Sequence, residues 1–155
     1  MTSSATLAFL HHAAAFTLVA AIMVELVLTK EQLSVTSARS LLRIDALYGV
    51  SAGVLLVVGF LRVFYTEKGP DYYFSSGTFI AKIALFAVVG LLSIYPTVQL
   101  RGLRRFLRQN QSPSFDAPKL RTLRRIIHIE LLLLFVIMLF AALMARGIGF
   151  IGAGA

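Results

Sequence analysis

Apolar residues run almost unbroken through four stretches of the chain, from Leu7, Ile44, Phe79 and Ile126 onward. A helix needs about 20 consecutive apolar residues to cross the hydrocarbon core of a bilayer. Each stretch has that length, so the pattern predicts transmembrane helices at about 7–28, 44–65, 79–100 and 126–146. Short connections between long helices favour antiparallel neighbours. The expected fold is all-α: a four-helix transmembrane bundle, antiparallel and up-down, in a single domain. The first stretch is too long for a cleaved signal peptide and lacks a basic leader, so it reads as a true span.

Polar and small residues between and within the stretches predict the local detail. Thr2, Ser3 and Ser4 offer an N-cap to the first helix, and Ser37 and Ser40 to the second. Gly69-Pro70-Asp71 predicts a short turn. Tyr65, Tyr72, Tyr73 and Phe74 crowd that turn, as an aromatic belt at the membrane interface would. Pro96 is expected to kink the third helix or end its regular part. Asn110–Pro118, with two prolines, reads as a loop tip, and the glycine-rich Gly147–Ala155 as a loosely held tail. Gly49 and Gly53, extended by Ala52 and Gly59, form a small-residue strip suited to close helix packing.

Composition narrows the class. The chain has 155 residues, 58% of them hydrophobic, against about 45–50% in a soluble domain. It has no cysteine, which excludes disulfides, iron–sulfur clusters, thiolate zinc sites and a cysteine nucleophile. The net charge of +8 is concentrated in Arg101, Arg104, Arg105, Arg108, Lys119, Arg121, Arg124 and Arg125, against Asp116 alone. A basic run can indicate nucleic acid. Between two spans it reads instead as a cytoplasmic loop, 101–125, that obeys the positive-inside rule and meets anionic lipid. Lys30–Arg43 is also net basic, whereas Glu67–Gly77 carries Glu67 and Asp71 against Lys68. These charges predict a multi-pass membrane protein with both termini outside and the basic connections inside.

Ionisable residues lie in or at the ends of the stretches: His11, His12, Glu25, Asp45, Arg62, Lys82, His128 and Glu130. Charge in lipid is costly, so such groups face the bundle interior and often mark function. At about 100° per residue, His11 and Glu25 fall within about 40° of one face, with His12 well away. Lys82, Val89, Ser93 and Pro96 share a side of the third helix. His128 and Arg146 share a face of the fourth, and Glu130 points almost the opposite way, toward water or the basic segment. Sorted by depth, His11, Arg62, Lys82 and Arg146 form an outer set. Glu25, Asp45, Arg43, Tyr95 and His128 form an inner one.

The outer set is a histidine among cations. Neutral imidazole is an axial ligand of haem iron, and Arg and Lys can neutralise haem propionates. Set against this, a lone membrane histidine is more often a hydrogen-bonded structural residue. The inner set reads first as structural, with Glu25 or Asp45 paired to Arg43 or His128; a proton relay is the sharper alternative. One four-helix unit without an inverted repeat argues against a transporter. No phosphate-binding glycine loop, HExxH, Gly-x-Ser-x-Gly or EF-hand loop occurs.

The segments LLRIDALYGVSAGVLLVVGFLRVFYTEKGPDYYF (Leu41–Phe74) and FIAKIALFAVVGLLSIYPTVQLRGLRR (Phe79–Arg105) resemble an uncharacterised bacterial family of small four-helix membrane proteins. The block Arg43, Asp45, Tyr48, Gly49, Arg62, Lys82, Tyr95 and Pro96 carries that resemblance, which extends to Leu10–His12 and implies no established activity. More distantly, the layout resembles the bacterial four-helix membrane protoporphyrinogen oxidases and the copper-resistance D-type proteins. Leu10-His11 and Ala81-Lys82 match positions of the oxidases' haem-associated site. The resemblance implies haem b near His11, with Lys82 opposite the iron or beside the propionates. The absence of tryptophan departs from the oxidase pattern and leaves the porphyrinogen reaction unsupported. Two functional expectations follow. One is a membrane haem oxidoreductase. The other is a non-catalytic subunit or scaffold of a homo-oligomer or larger membrane complex.

Overall fold

The computed structural model describes residues 2–30, 34–65, 69–109 and 116–149. Among them the chain forms α1 (Thr2–Leu28), α2 (Val35–Tyr65), α3 (Pro70–Phe74), α4 (Gly77–Arg108) and α5 (Ala117–Ala145). All but α3 are long and apolar enough to cross a membrane. α1 packs along α2, and α4 along α5. The two hairpins meet through α2 against α4 and α1 against α5, so α1 and α4 stand on one diagonal of a four-helix bundle.

Each long helix turns one stripe inward. On α1 it contains Ala14, Leu18, Ala21, Ile22, Glu25 and Leu26; on α2, Ala38, Leu41, Asp45, Tyr48 and Ser51. On α5 it contains Leu123, Ile127, Glu130, Leu131 and Leu134. Steps of three and four residues keep such positions on one side of a helix. The opposite faces stay apolar: Phe16 is 77% exposed and Leu91 69%. Exposed apolar surface on that scale suits acyl chains as its solvent.

The helices outrun the predicted spans. Arg101, Arg104, Arg105 and Arg108 finish α4, and Lys119, Arg121, Arg124 and Arg125 begin α5. The basic segment expected as a loop is thus helical on both sides. Arg and Lys are good helix formers, and nothing stops a helix at the edge of the hydrocarbon. The expected loop tip loses Pro118 to α5; its residues 110–115 lie outside the described residues. Glu67 and Lys68 of the outer connection do so as well.

Several local expectations change. Thr2, Ser3 and Ser4 already belong to α1. The cap of α2 is Ser34. The Ser37 amide donates to Ser34 Oγ at 3.1 Å, and the Ser34 amide donates to Ser37 Oγ at 2.8 Å. That reciprocal pair has the logic of a capping box, and Ser40 lies inside the helix. Pro96 does not end α4, which continues unbroken to Arg108 with Pro96 buried. Gly69, at φ 80°, makes the turn, and Pro70 opens α3 behind it. Tyr73 is buried rather than in an interfacial belt, with its ring 5.3 Å from that of Phe79; Tyr65 and Phe74 remain exposed.

Two glycine expectations are also revised. Gly49 and Gly53 are exposed and a Cβ on either would meet nothing within 4 Å, so among the described residues they seat no neighbouring helix. The start of the tail is held, not loose. The Gly77 amide donates to the Gly149 carbonyl at 2.9 Å, and Thr78 Oγ1 donates to the Ile148 carbonyl at 3.2 Å. Positive φ at Gly147 (75°) and Gly149 (86°) lets the chain fold back to the start of α4. The tail beyond Gly149 lies outside the described residues.

Candidate functional site

The inward stripe of α1 continues to His11, one turn before Ala14. Its ring lies over the glycine gap of α2: a Cβ on Gly59 would stand 3.4 Å from His11 Cε1. His11 Nδ1 is buried without a hydrogen-bond partner. Arg62, one turn beyond Gly59, and Lys82, from the diagonal helix α4, are both close enough to act electrostatically on the imidazole. Lys82 Nζ also sits 5.2 Å from the centre of the Phe79 ring, a cation–π distance. The structure therefore brings together three of the four residues of the expected outer set. Arg146 does not join them: it is exposed at the C-cap of α5.

His12 departs from His11 as the spacing predicts. It is exposed, and its Nδ1–H donates to the Ala8 carbonyl at 2.7 Å. The two rings meet edge to face at 6.1 Å. Among the described residues, no group of three His, Cys, Asp or Glu side chains is placed to hold a bare metal ion.

A second cluster lies toward the basic end. Glu25 of α1, Asp45 and Tyr48 of α2 and Glu130 of α5 are all buried and lie within electrostatic range of one another. α4 completes it. Thr97 Oγ1 donates to Asp45 Oδ1 at 2.6 Å, and Ser93 is within hydrogen-bonding reach of Tyr48. Glu25 is 3% exposed and Glu130 2%. Oε1 of each is buried without a hydrogen-bond partner. Glu25 is 14 residues from His11, which separates the clusters by about 21 Å along α1.

The expected neutralising pairs of this inner set do not form. Arg43 is exposed on α2. His128 is exposed as well, and its Nδ1–H donates to the Arg124 carbonyl at 2.6 Å. Arg124 reaches across to the end of α1, where Nε donates to the Thr29 carbonyl at 2.9 Å and Nη2 donates to the same oxygen. It thereby satisfies a helix-end acceptor, not a carboxylate. Tyr95 is half-buried, and no contact among the described residues places it with the carboxyls.

Glu130 reverses an expectation. Glu130, expected toward water or the basic segment, is buried, and His128, expected in the inner set, is exposed. The signal that finds it is Leu123, Ile127, Glu130 and Leu134, spaced four, three and four, a core stripe that omits position 128. Tyr48 follows Leu41 and Asp45 in the same rhythm on α2.

Both clusters fall inside a matched region. The chain belongs to the family described as predicted membrane protein (DUF2214), whose model matches residues 3–149. No curated protein and no solved structure matches the chain.

Proposed function

We propose that this DUF2214 membrane protein holds a b-type haem in the outer half of its bundle and serves redox chemistry in the membrane. One observation carries the reading: the His11 imidazole is turned inward with a buried, unpartnered Nδ1, beside Arg62 and Lys82. A buried polar atom without a partner is costly, and an imidazole in that state is suited to a ligand. The donor set fits haem. His11 offers a neutral nitrogen to iron, and two cations match two propionates. Lys82 approaches from the diagonal helix, so the pair spans the bundle rather than one helix–helix seam. Gly59 keeps α2 clear of the ring. Bound haem would supply a one-electron couple, and the apolar outer faces would admit a membrane-soluble reductant or oxidant.

The basic ends of α4 and α5 support an orientation in a bacterial inner membrane with that end cytoplasmic, against anionic lipid, and both termini periplasmic. The absorption spectrum of detergent-purified protein, before and after dithionite, tests the haem. A Soret band that shifts on reduction is expected; it should vanish in His11→Ala and persist in Arg146→Ala. A colourless protein from haem-replete cells, or a band unchanged in His11→Ala, overturns the reading. The second reading, a non-catalytic subunit or scaffold in a homo-oligomer or larger complex, is supported by the outward-facing Gly49 and Gly53, which leave room for a close-packed partner helix.

A further inference from the structure

We infer that the inner cluster is a proton-binding site, with the proton carried by Glu25 or Glu130 and exchanged toward the basic end of the bundle. Three buried carboxyls from three helices lie within electrostatic range of one another in the interior, with buried Tyr48 among them. The groups that face the site are Glu25 from α1, Asp45 and Tyr48 from α2, Ser93 and Thr97 from α4, and Glu130 from α5. None of these is a cation. Of the basic side chains on the same helices, Arg43 and His128 are exposed, and Arg124 holds the Thr29 carbonyl.

Carboxylates gathered in a low-dielectric interior without a counter-ion cannot all stay ionised, and the way out is to bind a proton or a cation. The arrangement favours the proton. A hard cation needs several converging oxygens, and no group of three ligating side chains is placed for one among the described residues. Asp45 Oδ1 already accepts from Thr97 Oγ1. Glu25 and Glu130 each keep a buried oxygen without a partner, where an O–H bond can form. Uptake converts one carboxylate and one proton into one carboxylic acid, and release reverses it. Glu25 lies one turn from Thr29, at the basic end, so that end is the short route to water. The site is independent of whether His11 holds haem.

Infrared spectroscopy of the full chain in lipid, in H2O and D2O and across pH, tests this. The expected spectrum at neutral pH contains the carbonyl stretch of a protonated carboxyl, moved to lower frequency in D2O. Glu25→Gln or Glu130→Gln should remove it, and His11→Ala should retain it, which separates this result from the fate of the haem. Asp45→Asn removes a neighbouring negative charge, so the band should then disappear at lower pH than in the wild type. No protonated-carboxyl band in the folded wild type at neutral pH overturns the inference; this measurement requires no variant. So does a band that survives both glutamine substitutions, or one displaced at constant pH by Na⁺, K⁺, Mg²⁺ or Ca²⁺.

Discussion

Gly149→Ala tests whether the returning tail holds the start of α4. The new Cβ would stand 2.6 Å from Thr78 Cγ2 and 3.4 Å from the Thr78 amide nitrogen, at a φ of +86°. Left-handed backbone costs a non-glycine residue about 1–2 kcal/mol. Relieving the clash means moving the strap, which gives up the Gly77–Gly149 and Thr78–Ile148 hydrogen bonds. Each is worth about 1 kcal/mol net. Detachment relieves the backbone strain and gives up the two bonds, so the loss is capped at about 2 kcal/mol. Hydrogen exchange at the Gly77 amide reads the detachment directly. Denaturation in mixed micelles reads how much of it reaches the bundle. Thr78→Ser removes the methyl group that Cβ would strike and keeps the hydroxyl, so Gly149→Ala should cost less in that background. Gly77 protection unchanged in Gly149→Ala would refute the reasoning, as would equal costs in both backgrounds. The outcome matters for the outer cluster because Lys82 sits one turn beyond Thr78 on α4.

Two further substitutions probe the clusters. Gly59→Ala places its methyl at ordinary contact distance from His11 and should leave haem content near wild type, whereas Gly59→Leu should displace the ring and lower the Soret absorbance per protein; equal absorbance in both would exclude the packing of His11 against Gly59. Thr97→Val strands Asp45 Oδ1 and should cost about 1–3 kcal/mol in a reversible micelle denaturation, a cost that should disappear in Asp45→Ala,Thr97→Val relative to Asp45→Ala alone, where no side-chain acceptor is left.

The spans were legible because length and apolarity alone decide which segments cross a bilayer. The placing of His11, Arg62 and Lys82 in one region followed from depth and helix phase. Phase failed on α5, where Ile126–Met144 is apolar almost all round. Such a helix carries little information about which side is inward, so a single polar residue could be placed on either face. The core stripe through Leu123 and Leu134 decides it for Glu130 and against His128. The helical extensions were hidden for a different reason: the end of a hydrophobic run marks the edge of the hydrocarbon, not the end of the helix. The return of Gly147–Gly149 to Gly77 was also out of reach, since a run of glycines records freedom and not the contact that uses it.

The extensions have a mechanical consequence. α4 has 32 residues and measures about 48 Å, against roughly 30 Å of hydrocarbon. Its arginines, and those opening α5, therefore ride on stiff rods. Sinking the molecule would drag guanidinium groups into oil, and raising it would strip lipid from Phe16 and Leu91. The collar works as a mooring. It would hold His11 and Glu25 at set depths about 21 Å apart, though neither touches it.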